Sequence, residues 1–155
     1  MSRKLMIRLA VVLAALGSLV AIAPASPAAA GTCGTPGCGG YVINSGSSGV
    51  YVFVSNNWCW SSSNPYFGST LPCAPTWNAF AYNSYFLLAP GDNTNNYSHY
   101  YDTDAIRIDK GCKVFWYNGT TNFYDNTFGS AAMWVKLTNL SGFTVTNAVG
   151  SGCIR

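Results

Sequence analysis

Histidine occurs once in this chain, at His99, within the stretch NNYSHYYDTD at residues 95–104. Ser98 precedes it, and Asp102 and Asp104 follow, so the stretch holds the residue types of a nucleophilic triad. A triad requires the histidine to be oriented by a carboxylate and the serine to be held on a strained turn. Sequence neighbours do not create that geometry, and no G-x-S-x-G elbow is present. His99 therefore reads as a solvated loop residue, and no catalytic residue is assigned. Asp102 and Asp104 would share one face of an extended segment, roughly 7 Å apart by strand rise. That pair could serve glycoside hydrolysis or a calcium ion, but no further ring of oxygen ligands follows. The expected role is bonding turn amides ahead of a strand. No metal or other cofactor is implied.

The six cysteines carry more information. Cys33, Cys38, Cys59, Cys73, Cys112 and Cys153 contain no C-x-x-C spacing and the chain has a single histidine, so metal-ligand spacing is absent. An even number in a short exported chain reads as three disulfides, for which fifteen connectivities exist. The expected set is the sequentially local one: Cys33 with Cys38, Cys59 with Cys73, and Cys112 with Cys153.

Export is read from residues 1–30. Arg3, Lys4 and Arg8 supply a positive start, residues 9–23 are an apolar and small-residue run, and Ala28-x-Ala30 precedes Gly31. This is the order of a secretory signal peptide, too short and wrongly flanked for a spanning helix. Cleavage after Ala30 takes 30 of 155 residues and leaves 125, enough for one modest core. Five cations (Arg107, Lys110, Lys113, Lys136, Arg155) then face five aspartates (Asp92, Asp102, Asp104, Asp109, Asp125). Near-zero net charge gives no support to a nucleic-acid or anionic-membrane partner.

After residue 30 the chain is rich in Tyr, Trp, Phe, Val, Thr, Asn and Gly, which favours strands and turns. Strands are expected at 50–54, 77–88, 105–109, 112–117, 133–138 and 143–146. A two-residue turn at Lys110-Gly111 is expected to pair 105–109 with 112–117 as a hairpin. Met133, Val135 and Leu137 should share one face, as should Phe143 and Val145. Residues 61–75 read as a loop pinned by Cys59 and Cys73. The expected fold is all-β: a small, disulfide-stapled β-sandwich over 41–155 with an extended amino-terminal arm.

That arm is GTCGTPGCGG at residues 31–40: glycines 31, 34, 37, 39 and 40 (Gly31, Gly34, Gly37, Gly39, Gly40), with Thr32, Thr35, Pro36, Cys33 and Cys38. No side chain in it is large enough to fill a core. Ten residues reach at most about 33–36 Å when extended. A thin segment braced by a cystine and a proline suits docking along another protein's backbone, where glycine permits close approach. Aromatic residues near the first large loop, Trp58 and Trp60, are candidates for a second contact. The wider palette of five tryptophans and ten tyrosines serves sugar stacking, protein binding or core equally well.

A secreted small β protein with a slender amino-terminal arm resembles the adaptor subunit of bacterial umbrella toxin particles. The residues behind the resemblance are 31–40 as arm and 41–155 as body. It implies an immunoglobulin-like body, a large secreted toxin subunit that receives the arm, and a second, lectin-like subunit on the outer side. The stretch CKVFWYNGTTNFYDNTFGS, from Cys112 onward, is also similar to the aromatic hairpin of βγ-crystallin-like secreted inhibitors and killer toxins, with Asp125 where that pattern has glycine. This second resemblance implies a proteinase inhibitor or antimicrobial toxin, with residues 61–74 as a reactive loop. Sugar binding is the third alternative. In every case the expected protein is extracellular and non-enzymatic.

Overall fold

Alternating side chains divide this chain between two β-sheets. The computed structural model describes Thr35 and residues 39–59, 62–137 and 142–155. Among them lie ten strands: β1 Tyr41–Asn44, β2 Val52–Ser55, β3 Tyr66–Phe67, β4 Thr76–Trp77, β5 Ser84–Leu88, β6 Ala105–Ile108, β7 Lys113–Tyr117, β8 Thr121–Asp125, β9 Met133–Lys136 and β10 Gly142–Val149. The described residues contain no α-helix, only three short 3-10 turns at Gly46–Ser48, Thr94–Asn96 and Ser98–Tyr100.

One sheet has the order β1-β10-β7-β8, the other β3-β9-β6-β2-β5-β4. β1 runs parallel to β10, with Tyr41 opposite Gly142, so the first and last strands lie side by side. β4 is likewise parallel to β5, and the other pairings are antiparallel. Val54, Ile106, Ile108, Val135, Phe86 and Leu88 from the larger sheet meet Val42, Val114, Phe143 and Val145 from the smaller in one buried cluster. Each such side chain contributes about 1.5–3 kcal/mol by leaving water. The expected all-β, two-sheet, disulfide-stapled architecture is what forms. Cys59–Cys73 and Cys112–Cys153 are both bonded, and the pairing of Cys33 with Cys38 lies outside the described residues.

The larger sheet is buried on both faces. Phe53, Ala105 and Trp134 point away from the main core and join Cys59, Leu71 and Ala74 in a second cluster. Residues 62–75 supply its cover, tied down by Cys59–Cys73 and by β3, which pairs with β9. Met133, Val135 and Leu137 do share the inner face, but Trp134 between them is fully buried as well.

Two sequence expectations change. Segments 105–109 and 112–117 do not form a hairpin: β6 pairs with β2 and β9, whereas β7 pairs with β10 and β8. Gly111, with φ 81°, turns the chain from one sheet into the other, and its N–H bonds to Asn126 O at 2.9 Å. A left-handed residue fits a tight turn without saying whether the strands it joins will pair. The run 77–88 is likewise not one strand. It breaks after Trp77 and resumes at Ser84, because Ser84 Oγ sits 2.7 Å from Asn78 O and 2.6 Å from Ala81 O and folds 78–83 into a turn. β7 and β8 pair as a hairpin across Asn118-Gly119.

Candidate docking surfaces

The only arm residues described are Thr35, which is exposed, and Gly39 and Gly40, which are buried. Gly31, Thr32, Cys33, Gly34, Pro36, Gly37, Cys38 and Trp60 lie outside the described residues. Gly39 N–H donates to Tyr101 O at 3.2 Å, Gly40 N–H to Asp102 Oδ1 at 3.3 Å, and Thr103 N–H to Gly40 O at 2.6 Å. The last two arm residues are thus seated in the body by their backbone. Side chains have no room there: a Cβ on Gly40 would stand 2.5 Å from Thr103 O, and one on Gly39 would overlap the Asp102 carboxylate. Glycine is required for close approach, the reason the sequence suggested, but toward the chain's own body.

Beside this seat is an asparagine-pinned pair of loops. Asn56, only 8% exposed, donates through Nδ2 to Ala81 O at 2.7 Å and to His99 O at 2.9 Å. Its Oδ1 accepts from Ser84 N–H at 2.8 Å. Tyr100, fully buried, lies 2.9 Å from Ser84 Oγ through its hydroxyl. One buried network therefore holds 78–83 against 97–101. On its outside stand Phe80, 73% exposed, and Tyr82, 58% exposed, with Tyr82 edge-on to the His99 ring at 4.5 Å and Phe80 near Tyr97 at 6.1 Å. Trp77, also exposed, packs edge-on against Phe53 at 5.5 Å. Sequence reading missed this surface, although the aromatic-asparagine alternation of 77–83 was its signal.

The residues with catalytic potential do not converge. His99 Nδ1 has Ser98 Oγ at 3.4 Å, and among the described residues no carboxylate hydrogen-bonds to it. Asp102 accepts from the remote Gly40 amide at the arm root rather than from a turn amide beside its own strand. Asp104 is 9% exposed, and burial first, then the charge of Asp102, push its carboxyl up to about 6, with Lys136 opposing. Among the described residues no three His, Cys, Asp or Glu side chains gather as a metal set.

Trp58 is half-buried and packs on the second core cluster, so its ring is largely committed to the body. The expected reactive loop, 61–74, is anchored at particular points among its described residues, while Ser63, Asn64, Pro65, Phe67 and Pro72 are exposed. Leu71 and Ala74 are fully buried, and Ser69 O accepts from Arg107 Nη1 at 2.8 Å.

The aromatic hairpin divides by face. Trp116 and Tyr124 turn inward and stack with Phe143, at 4.4 Å for the Trp116–Phe143 pair. Phe123, 55% exposed, and Phe115 turn outward, with Lys113 Nζ 3.9 Å from the Phe123 ring centre. Among the described residues no helix is long and apolar enough to cross a membrane. Compared with known proteins, the chain matches no family model, no curated protein and no solved structure.

Proposed function

We propose that this chain is a secreted, non-enzymatic adaptor whose amino-terminal arm docks into a larger secreted subunit of toxin type. The observation that supports this is the seat of Gly39 and Gly40. Three hydrogen bonds from the backbone of Gly39 and Gly40 to residues 101–103, one of them to the Asp102 carboxylate, hold the last two arm residues to the body. A segment with a fixed root and no bulky side chains enters a partner at low ordering cost and binds chiefly through its backbone. The two bonded disulfides accord with an extracellular setting.

The second partner, lectin-like by resemblance, is assigned to the Phe80–Tyr82 end, not to Trp58. Rigid, exposed aromatic side chains held by a buried network are the features of a contact anchor. Direct sugar binding is the second reading, favoured by the same exposed rings of Phe80 and Tyr82. The inhibitor reading keeps 61–74 as its loop, of which Ser69 bonds Arg107 and Leu71 and Ala74 pack onto the sheet.

Co-purification from culture supernatant separates these readings. Full-length chain should retain a large secreted protein that a chain lacking residues 31–38 does not. Phe80→Ser should keep that protein and lose a second, smaller one. Equal recovery by the truncated chain would refute the arm, and retention on a glycan array abolished by Phe80→Ser would favour sugar binding.

A further inference from the structure

We infer that the open edge of β8 receives a second copy of this chain: two β8 strands pair antiparallel about a two-fold axis at Phe123 and join the smaller sheets of both copies into one. The pairing is a property of the body and is independent of the docking role proposed above.

An uncovered strand edge offers a row of free N–H and C=O groups, and folded proteins cover, shorten or charge such edges. The other sheet edges follow that rule. β1 is bonded along its outer side by residues 91–94: Gly91 N–H donates to Asn44 O at 2.7 Å, Asn44 N–H to Asp92 O at 2.9 Å and Val42 N–H to Thr94 Oγ1 at 3.0 Å. β3 and β4, the edges of the larger sheet, are only two residues long. β8 differs from all of these. It is five residues long, contains no proline or lysine, pairs with β7 without a bulge, and has no strand on its other side among the described residues. Its one charge, Asp125, is already met by Lys113 Nζ at 3.1 Å and by Thr127 N–H at 3.0 Å.

The occupant follows from which backbone groups face outward. Asn118 N–H bonds Thr120 O at 3.4 Å and Asn126 N–H bonds Cys112 O at 2.9 Å, which sets the alternation at both ends of the hairpin. Asn122 and Tyr124 accordingly turn their backbone groups to β7, and Thr121, Phe123 and Asp125 present theirs to the open edge. A two-fold axis at Phe123 is the register that uses all of these, with about six hydrogen bonds. It sets Phe123 against its own copy and Thr121 against Asp125. The side chains agree with it. Phe115 and Phe123 are cross-strand partners on the outer face, 6.1 Å apart by ring centre, and the rotation continues them into a row of phenylalanines from both copies. The two Asp125 carboxylates then stand roughly 14 Å apart along the strand. A parallel pairing would set them side by side. The body as a whole, with as many aspartates as cations after residue 30, puts no net charge between the copies.

The test uses the chain purified from culture supernatant, alone. Sedimentation equilibrium should show monomer and dimer in exchange, with a Kd on the order of 10–100 μM, as suits a small interface. Amide exchange compared at low and high protein concentration should show added protection at Thr121, Phe123 and Asp125. Asn122 and Tyr124, already held by β7, should stay unchanged. Charge reads the register: Thr121→Asp should weaken the dimer and Thr121→Lys should tighten it, each by roughly 2- to 10-fold. Circular dichroism of the dilute monomer should be the same for both variants and the native chain. A chain still monomeric at ~1 mM would overturn the pairing. So would a dimer that leaves the Thr121, Phe123 and Asp125 amides unprotected, or one that both variants shift in the same direction. Protection of those amides that appears only when another secreted protein is added would assign the edge to that protein and refute self-pairing. No partner enters the measurement, so a failed capture experiment leaves the pairing standing, and a monomeric chain leaves the docking role intact.

Discussion

The guanidinium of Arg107 lies 3.6 Å above the ring centre of Phe53 on the outer face of the larger sheet. Its Nη2 meets Asp109 Oδ1 at 2.7 Å, and its Nη1 bonds Ser69 O at 2.8 Å, so one cation joins an aromatic cluster, a carboxylate and the cover loop. Burial lowers the Arg107 pKa and raises that of Asp109, and their mutual pairing opposes both shifts. Such a pair gains little over apolar replacement, yet removing one member strands the other. Arg107→Ala should destabilise the chain by about 3 kcal/mol in urea denaturation. Adding Asp109→Ala should cost less than the sum of the single changes.

The two described disulfides close loops of different length. Cys112–Cys153 spans 41 residues and Cys59–Cys73 spans 14. Chain entropy gives about 4 kcal/mol for the longer loop and about 3 kcal/mol for the shorter. Paired Cys→Ser replacement at 112 and 153 should therefore lower Tm more than replacement at 59 and 73. The reverse order in calorimetry would mean that anchoring the cover loop outweighs loop length.

Stability should depend on pH through Asp104. Its folded pKa is raised from 3.8 to about 6, so the folded state favours the protonated form. The stabilisation is complete below about 4 and disappears as pH rises through about 6. Asp104→Asn should consequently raise stability at pH 7.5, by about 1–3 kcal/mol, and flatten the profile between pH 4 and 7. A variant less stable than the native chain at pH 7.5 would contradict this sign.

Asn56 should matter far more than its size suggests. Its three hydrogen bonds hold residues 78–83 and 97–101 together from the inside. Asn56→Ala leaves Ala81 O, His99 O and Ser84 N–H without that partner and should cost about 2–4 kcal/mol in thermal unfolding. Near-ultraviolet circular dichroism should change with it, since Tyr82 and His99 lose their edge-on contact.

Gly40 and Phe80 make a contrasting pair. Gly40→Val meets Thr103 O and should displace the arm root, with loss of partner capture and about 1–3 kcal/mol of stability. Phe80→Ser removes a ring that is 73% exposed, and its stability should stay within about 0.5 kcal/mol. A large Tm loss in the second variant would show that the ring is structural.

Composition and short-range pattern alone determined that this chain is all-β and that Cys59 pairs with Cys73 and Cys112 with Cys153. These follow from local quantities: β-branched and aromatic enrichment, two-residue alternation, and loop lengths short enough to close. Alternation also marked Ile106, Ile108, Val135 and Val145 as core. Tertiary structure decided the rest. Whether Lys110-Gly111 joins paired strands depends on which neighbours occupy the edges of β6, and no local pattern encodes that. Trp134 looked outward-facing until residues 62–75 covered it, because burial on a sheet's second face is conferred by a segment some sixty residues away. The same holds for Gly39, Asp102 and Asp104: their contacts join stretches remote in sequence, and only the folded chain brings a carboxylate to a glycine amide.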